Sequence, residues 1–442
     1  MSEWADLRSI NSLVEHCLPG EWGIDPVGGA SNCVVYRATD IDNEGHLRHN
    51  EGAERVVLPN KVTAKALKAN DIIVEASGGA PDKPVGRVAL FSGSSRKPAL
   101  VSNFFRAMRP RSGVDAKFLT FQLVALNRSS AIWRYQQQTT GLINLKVTDY
   151  LKHRVWMPAL SVQQKIGAIL TSLDTAIEKT EALIEKHQQI KAGLMHDLYT
   201  RGVLPNGQLR PPREQSQELY SETALGWIPV DWHFVRLGEL AKIVTGVTLG
   251  AKESPADTIE APYLRVANVQ DGYLDLAEIK TVRISGKTLE QLRLRTGDVL
   301  MNEGGDFDKL GRGAVWAGEL ENCVHQNHVF RVRTDGSRLL PHYLALYSES
   351  TFGKKYFLLS SKQSTNLASI NSTQLNAYPI AVPDSLEQQR IVQRLGGANA
   401  RIGALKAGLS KQRSQKLGLM QDLLTGKVPV TVEASIAEPT DA

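Results

Sequence analysis

Apolar residues between Ser161 and Tyr199 fall on alternating steps of three and four: Ile166, Leu170, Leu173, Ile177, Ile184, Leu194 and Leu198, with no proline among them. That spacing keeps one face apolar and predicts a single long helix with a coiled-coil seam. Leu386 to Leu424 repeats the pattern with Ile391, Leu395, Ala398, Ile402, Leu405, Leu409, Leu419 and Leu423. Each helix is expected to hold about 39 residues and, at about 1.5 Å per residue, to run roughly 58 Å. A helix of this kind needs a partner along its length. The two, joined by a whole domain, are expected to pair antiparallel. Pro158 and Pro383 precede candidate caps, Ser161 in one copy and Asp384 or Ser385 in the other, where an extended chain turns into a helix. Polar residues interrupt both seams at the same place, His187 and Lys191 in the first, Gln412 and Lys416 in the second. Either long side chains snorkel there at a splayed end, or they fix register or face a second protein.

The helices belong to an internal duplication. Thr140 to Val203 realigns without a gap on Thr365 to Val428, at a constant offset of 225 positions in a chain of 442. A period that long signals two whole domains rather than a solenoid. The remaining blocks carry short β-branched runs split by Gly, Asp and Asn, such as Val266 to Val269 and Asp298 to Met301, which read as mixed α/β globules. The expected fold class is therefore α+β: two mixed α/β domains separated by two long helices in an antiparallel coiled coil, with an internal pseudo-two-fold. The expected boundaries are a first globule at 1–157, a helical region at 158–200, a proline- and glycine-rich linker at 201–222, a second globule at 223–382, a second helical region at 383–428, and a polar tail at 429–442 expected to be disordered.

The globules diverge in residues yet share a skeleton. Asn70-Asp71-Ile72-Ile73 parallels Gly297-Asp298-Val299-Leu300, and the glycine loop from Gly78 to Arg87 parallels Gly304 to Arg312, one residue shorter. A strand followed by a glycine loop that ends in Lys and Arg projects two cations on a backbone able to approach a phosphate closely. Lys83, Arg87, Lys309 and Arg312 are thus candidate phosphate or base-edge contacts. Asn103, Gln326 and Asn327 carry amides suited to adenine, and Arg37 and Arg265 follow matching strands.

Net charge is +6 with a pI near 9.0, which permits a polyanionic partner without demanding one. Cys17, Cys33 and Cys323 are too few and too scattered for a disulfide framework or a thiolate zinc site, which suits a reducing cytosol. No stretch approaches the roughly 18 apolar residues of a membrane span, and Met1 to Asn11 lacks the pattern of a signal peptide. The expectation is a soluble, cytoplasmic chain. No phosphate-binding loop occurs; Gly246 to Lys252 has the wrong spacing. Arg210-Pro211-Pro212-Arg213 is the nearest string to a methyltransferase turn, and it lies in the linker. Glu278-Ile279-Lys280 with Asp271 or Asp275 only loosely resembles a nuclease motif. Cys323, His325 and His328 sketch a metal site whose two histidines would point to opposite faces of a strand. The chain is expected to be non-catalytic, without a cofactor or metal of its own.

A variable globule, a Thr-Gly/Asn-Leu stretch (Thr140-Gly141-Leu142, Thr365-Asn366-Leu367), a proline, Gln-Gln-Lys/Arg-Ile, and a long helix closing in Leu-Met-x-Asp-Leu-x-Thr, all given twice, resembles the specificity subunit of type I restriction-modification enzymes. The resemblance covers essentially the whole chain, although the stretch before Arg37 departs from Gly226-Trp227-Ile228-Pro229 to Leu240. It implies two target-recognition domains held apart by helical regions, each reading one half of a bipartite, asymmetric sequence in double-stranded DNA. The partners it implies are two modification subunits, which carry S-adenosylmethionine and methylate adenine, and restriction subunits with ATP-driven translocation and cleavage. On the same similarity Gln163, Gln164, Lys191, Leu194 and Met195, with Gln388, Gln389, Lys416, Leu419 and Met420, dock the modification subunits. The competing reading is a two-headed protein scaffold without sequence-specific DNA binding, which explains the duplication and the helices but not the repeated cationic glycine loops.

Overall fold

The computed structural model describes residues 7–47, 52–80, 82–139, 141–224, 226–250, 258–305, 310–363 and 368–431. Lys309, Thr140, the Thr365-Asn366-Leu367 stretch and the tail from 432 lie outside the described residues. The long helices run Leu160–Thr200 and Ser385–Leu423, 41 and 39 residues. The chain forms two compact units, one of residues up to Glu181 together with those from Ala407 on, the other of Ala182–Lys406. Each unit is therefore a globule plus half of each long helix.

In the first unit Ile166 and Leu170 share a core with Met420, Leu423 and Leu424 and with Phe118, Leu119 and Tyr150 of the globule. Lys416 meets Asp174 and Arg413 meets Glu181, so numbering rises on one helix as it falls on the other. Within this unit the helices pair antiparallel. In the second unit Leu198 and Tyr199 join Ile391 and Leu395 around Tyr343, Tyr347 and Tyr378.

Both helices begin on the same device. The Gln163 side chain donates to the Pro158 carbonyl (2.7 Å) and accepts the Asp115 backbone N–H (2.9 Å). Gln388, 225 positions on, donates to Pro383 (2.9 Å) and accepts from Leu340 (2.8 Å), the residues 225 beyond Pro158 and Asp115. Asp384 caps the second helix, accepting the Glu387 N–H at 2.8 Å. Ser161 is not a cap: the first helix already starts at Leu160, and Gln163 does the fastening.

The globules are built from the same sheets. An antiparallel sheet in the order Val14–Pro19, Phe105–Pro110, Ile72–Glu75, Val88–Leu90 recurs as Ala241–Thr245, Val329–Thr334, Val299–Asn302, Gly313–Val315. A mixed sheet of Ala53–Arg55, Cys33–Tyr36 and Ala99–Val101, the last strand parallel, recurs as Lys280–Ser285, Thr258–Leu264 and Val324–His325. The divergent first stretch falls into line as well. Leu7–Ser9 pairs with Arg154–Trp156 as His233–Arg236 pairs with Pro379–Val382, and the N–H of Ile10 reaches His153 as that of Leu237 reaches Tyr378.

The turn before each central strand needs a left-handed residue, Asn70 (φ 71°) in one unit and Gly297 (φ 91°) in the other. The aspartate after it is buried and gripped by both prongs of an arginine, Asp71 by Arg109 (2.8 and 2.7 Å) and Asp298 by Arg333 (2.6 and 2.7 Å). The segment expected as a linker is anchored at several points, among them Val203, whose carbonyl accepts from Arg390 (3.1 Å), and Arg210. Arg210, buried, bonds Glu387 (2.5 and 3.0 Å) and Asp231 (2.5 Å), while Glu387 also accepts from Val203 N–H (2.6 Å) and Trp232 Nε1 (3.2 Å).

Candidate nucleic-acid interface

Three chain segments meet at one edge of each globule. In the first unit the turn Ser102–Phe105, closed by the Phe105 N–H on the Ser102 carbonyl (2.9 Å), is held on one side by Ser102 N–H to Tyr36 (3.0 Å). On the other side its Phe104 carbonyl accepts from Ala76 (2.7 Å) and Ser77 (3.1 Å), at the root of the glycine loop. In the second unit the turn Gln326–Val329 closes identically (2.9 Å), Gln326 N–H reaches Leu264 (2.9 Å), and the His328 carbonyl accepts from Glu303 (3.0 Å). Gly20 and Gly246 press on these turns; a side chain at either would collide with the carbonyl oxygen of Ser102 or His325. A turn pinned from three sides presents its tip rigidly, as a reader of a surface requires.

Asn103 and Asn327 occupy the same second position of the two turns, Asn103 exposed and Asn327 half-buried, with Gln326 beside it. A cleft of about 370 Å³ at the first turn is lined by Trp22, Arg37, Ala38, Thr39, Ser102, Asn103 and Phe104. Arg37 and Arg265 open equivalent short turns, their backbone N–H groups held by Asp40 (2.7 Å) and Asn268 (2.8 Å). The Arg37 guanidinium also meets Asp40 (3.3 Å), and that of Arg265 meets Glu278 (3.3 Å).

The cations of the glycine loops are used differently. Arg87 is turned inward onto Glu75 (3.0 and 2.6 Å) and the Ile41 carbonyl (2.9 Å), and the Glu75 carboxylate raises its pKa further. Arg312 bonds Gln270 (3.0 Å) and lies 3.5 Å from Asp271. Lys83 stands exposed on its loop. The acids of the loose nuclease string are dispersed: Asp275 accepts from Ala277 N–H, Glu278 faces Arg265, and Asp271 faces Arg312. His325 is fully buried with Nδ1 2.6 Å from the Val329 carbonyl, so the proton sits on Nδ1; burial pulls its pKa down to about 4. His328 is exposed and meets Glu303 at 2.6 Å.

Among the helix residues expected at a partner surface, Gln164 and Gln389 are exposed, Leu194 and Leu419 half-buried. Gln163, Gln388, Met195 and Met420 are buried within their own units. The two seam lysines end in ion pairs with their own globules. Lys416, 2% exposed, meets Asp174 and Glu44 (3.1 Å); Lys191 meets Glu349 (2.5 Å). His46 adds to the first set, 3.4 Å from Asp174 and 3.2 Å from Asp42, and these hydrogen bonds, Asp174 first, raise its pKa to about 10. What sequence reasoning missed is that Asn103 and Asn327 are equivalent. The offset between units here is 224, not 225, and no motif flanks them.

A family model described as the type I restriction modification DNA specificity domain matches residues 34–187 and 229–411. The chain belongs to that family. Among relatives, a type I restriction enzyme specificity subunit of Methanocaldococcus jannaschii is 27% identical over 211 residues, 47% of this chain and about half (49%) of that one. One from Salmonella potsdam is 23% identical over 401 residues, covering 88% of this chain and 80% of the relative. The S subunit of a type I restriction-modification system from M. genitalium shares the fold, with a TM-score of 0.52 at 14% identity over 96% of each chain. Among the described residues no helix is long and apolar enough to cross a membrane.

Proposed function

We propose that this specificity-family chain reads a bipartite, asymmetric sequence in duplex DNA, one half per unit, and frames two modification subunits and the restriction subunits around it. The observation that carries this reading is the pinned three-segment edge, repeated in both units on one backbone plan but with different side chains around the tip. One plan with two sets of residues suits two half-sequences that differ. Base edges supply the letters, while phosphate contacts set position; exposed Lys83, and Lys309 on the matching loop, are the cations assigned to phosphate. Arg37, Arg87, Arg265 and Arg312 serve the loops that carry the reading turns. Gln164 and Gln389 belong to the docking surface, and methyl transfer and cleavage belong to the partner subunits. Assembling the chain with the modification subunits of its own system and mapping methylated adenines at base resolution tests the reading. Two specified half-sequences around an unspecified gap are expected; methylation without a shared sequence would instead favour the scaffold.

A further inference from the structure

We infer that Asn103 and Asn327 are the paired adenine readers of the two half-sites, one per unit, working at the same structural position. The inference rests on the DNA-recognition reading above and adds the base and the residue. Both asparagines stand second in a four-residue turn whose first N–H is tied to the end of a strand, Tyr36 or Leu264, and whose third carbonyl is tied to the root of the glycine loop, through Ala76 or Glu303. An asparagine side chain can bond its own backbone two residues on. Neither does so here: among the described residues no side-chain hydrogen bond is made by either amide.

The charged side chains around them are committed elsewhere. Arg37 and Arg265 hold Asp40 and Glu278, Arg87 holds Glu75, and His328 holds Glu303. Two unspent amides therefore recur at one equivalent position of the two turns, in domains whose surrounding residues have diverged. The Gln326 amide, beside Asn327, is also unspent among the described residues, but Ser102 stands at its equivalent in the first unit. An amide offers one donor and one acceptor side by side. In the major groove adenine alone presents the complementary adjacent pair, N7 accepting and N6–H donating, whereas guanine offers two acceptors. Phe104, 47% exposed, follows Asn103 and supplies an apolar face next to that edge, whereas the ring that follows Asn327 is the imidazole of His328, bonded to Glu303.

The test selects from a pool of randomised duplexes with the full chain assembled with its modification subunits, and sequences the bound DNA. For Asn103→Ala, preference for adenine at one position of one half-site is expected to fall roughly 5- to 150-fold, the range for one bidentate amide–adenine pair, while the other half-site stays unchanged. Asn327→Ala does the reverse. Asn103→Asp and Asn327→Asp keep the shape but only accept, so preference at the same position is expected to move from adenine toward cytosine. An unchanged consensus, or equal loss across both half-sites, overturns the inference. A wild-type complex that selects no bipartite sequence at all is a distinct result, which removes the DNA-recognition reading itself.

Discussion

Lys416 and Lys191 hold the same place in the repeat, yet the two units neutralise them with different acids. In the first unit Lys416 is sealed against Asp174 of the other helix and Glu44 of the globule, with His46 joining Asp174. In the second the residue matching Asp174 is Asn399, and Lys191 turns to Glu349 at the end of the helix Pro341–Glu349. A cleft of about 770 Å³ remains beside it, lined among others by Lys191, Asp271, Tyr273, Glu349 and Lys354. Duplication has kept the cation and the demand it makes on its surroundings, while the residue answering that demand has moved to another element. The seam lysines thus fasten helix to globule, and Lys416 also ties one long helix to the other through Asp174, as a residue that fixes register would.

Substitutions sharpen the contrast. The largest loss is expected for Arg210→Ala, confined to the second unit, because the first has Val162 where the second has Glu387. Leaving that buried carboxylate unpaired costs about 3 to 5 kcal/mol, read by denaturant unfolding with hydrogen exchange to assign the unit; a loss below 1 kcal/mol would deny the anchor. Lys416→Met is expected to cost about 2 to 3 kcal/mol, since Asp174 keeps protonated His46, and Lys191→Met about 1 kcal/mol beside its open cleft. Equal effects would erase the difference drawn between the sites. Gln163→Ala and Gln388→Ala are expected to cost about 1 to 2 kcal/mol each, as each strands one half-buried backbone N–H, with Gln388→Ala at the upper end because Gln388 also donates to the Arg338 carbonyl (2.8 Å).

The smallest effect is a pH slope. The folded pKa of His46, about 10, lies above its unfolded value near 6.5. Its contribution is full below pH 6.5 and is lost as pH rises toward 10. Melting the wild type and His46→Gln between pH 6.5 and 9.5 is expected to show a steeper decline in the wild type; parallel declines would exclude this linkage.

The helices and the duplication were legible because their signals are local and periodic: seam spacing, the Gln-Gln start, a constant offset of 225. The skeleton around Asp71 and Asp298 was legible from Asn70 and Gly297, each meeting one steric demand. The use of the cations was not. Whether Arg87 turns outward to phosphate or inward to Glu75 depends on an acid twelve residues away and on the Ile41 carbonyl, which no spacing rule reports. Prolines and glycines marked 201–222 as a linker but did not reveal that the partner of Arg210 there is 177 residues distant. The Asn103–Asn327 equivalence was hidden for a related reason: backbone bonds define it, and loops of unequal length shift its register.

Two independent readers on one duplicated frame is the central claim, and exchanging one reader for the other tests it most directly. A chain in which residues 234–382 are replaced by residues 7–157, assembled with its modification subunits, is mapped for methylated adenines at base resolution. The account predicts a target whose two specified halves are copies of one half-sequence; a target that retains its original second half would contradict it.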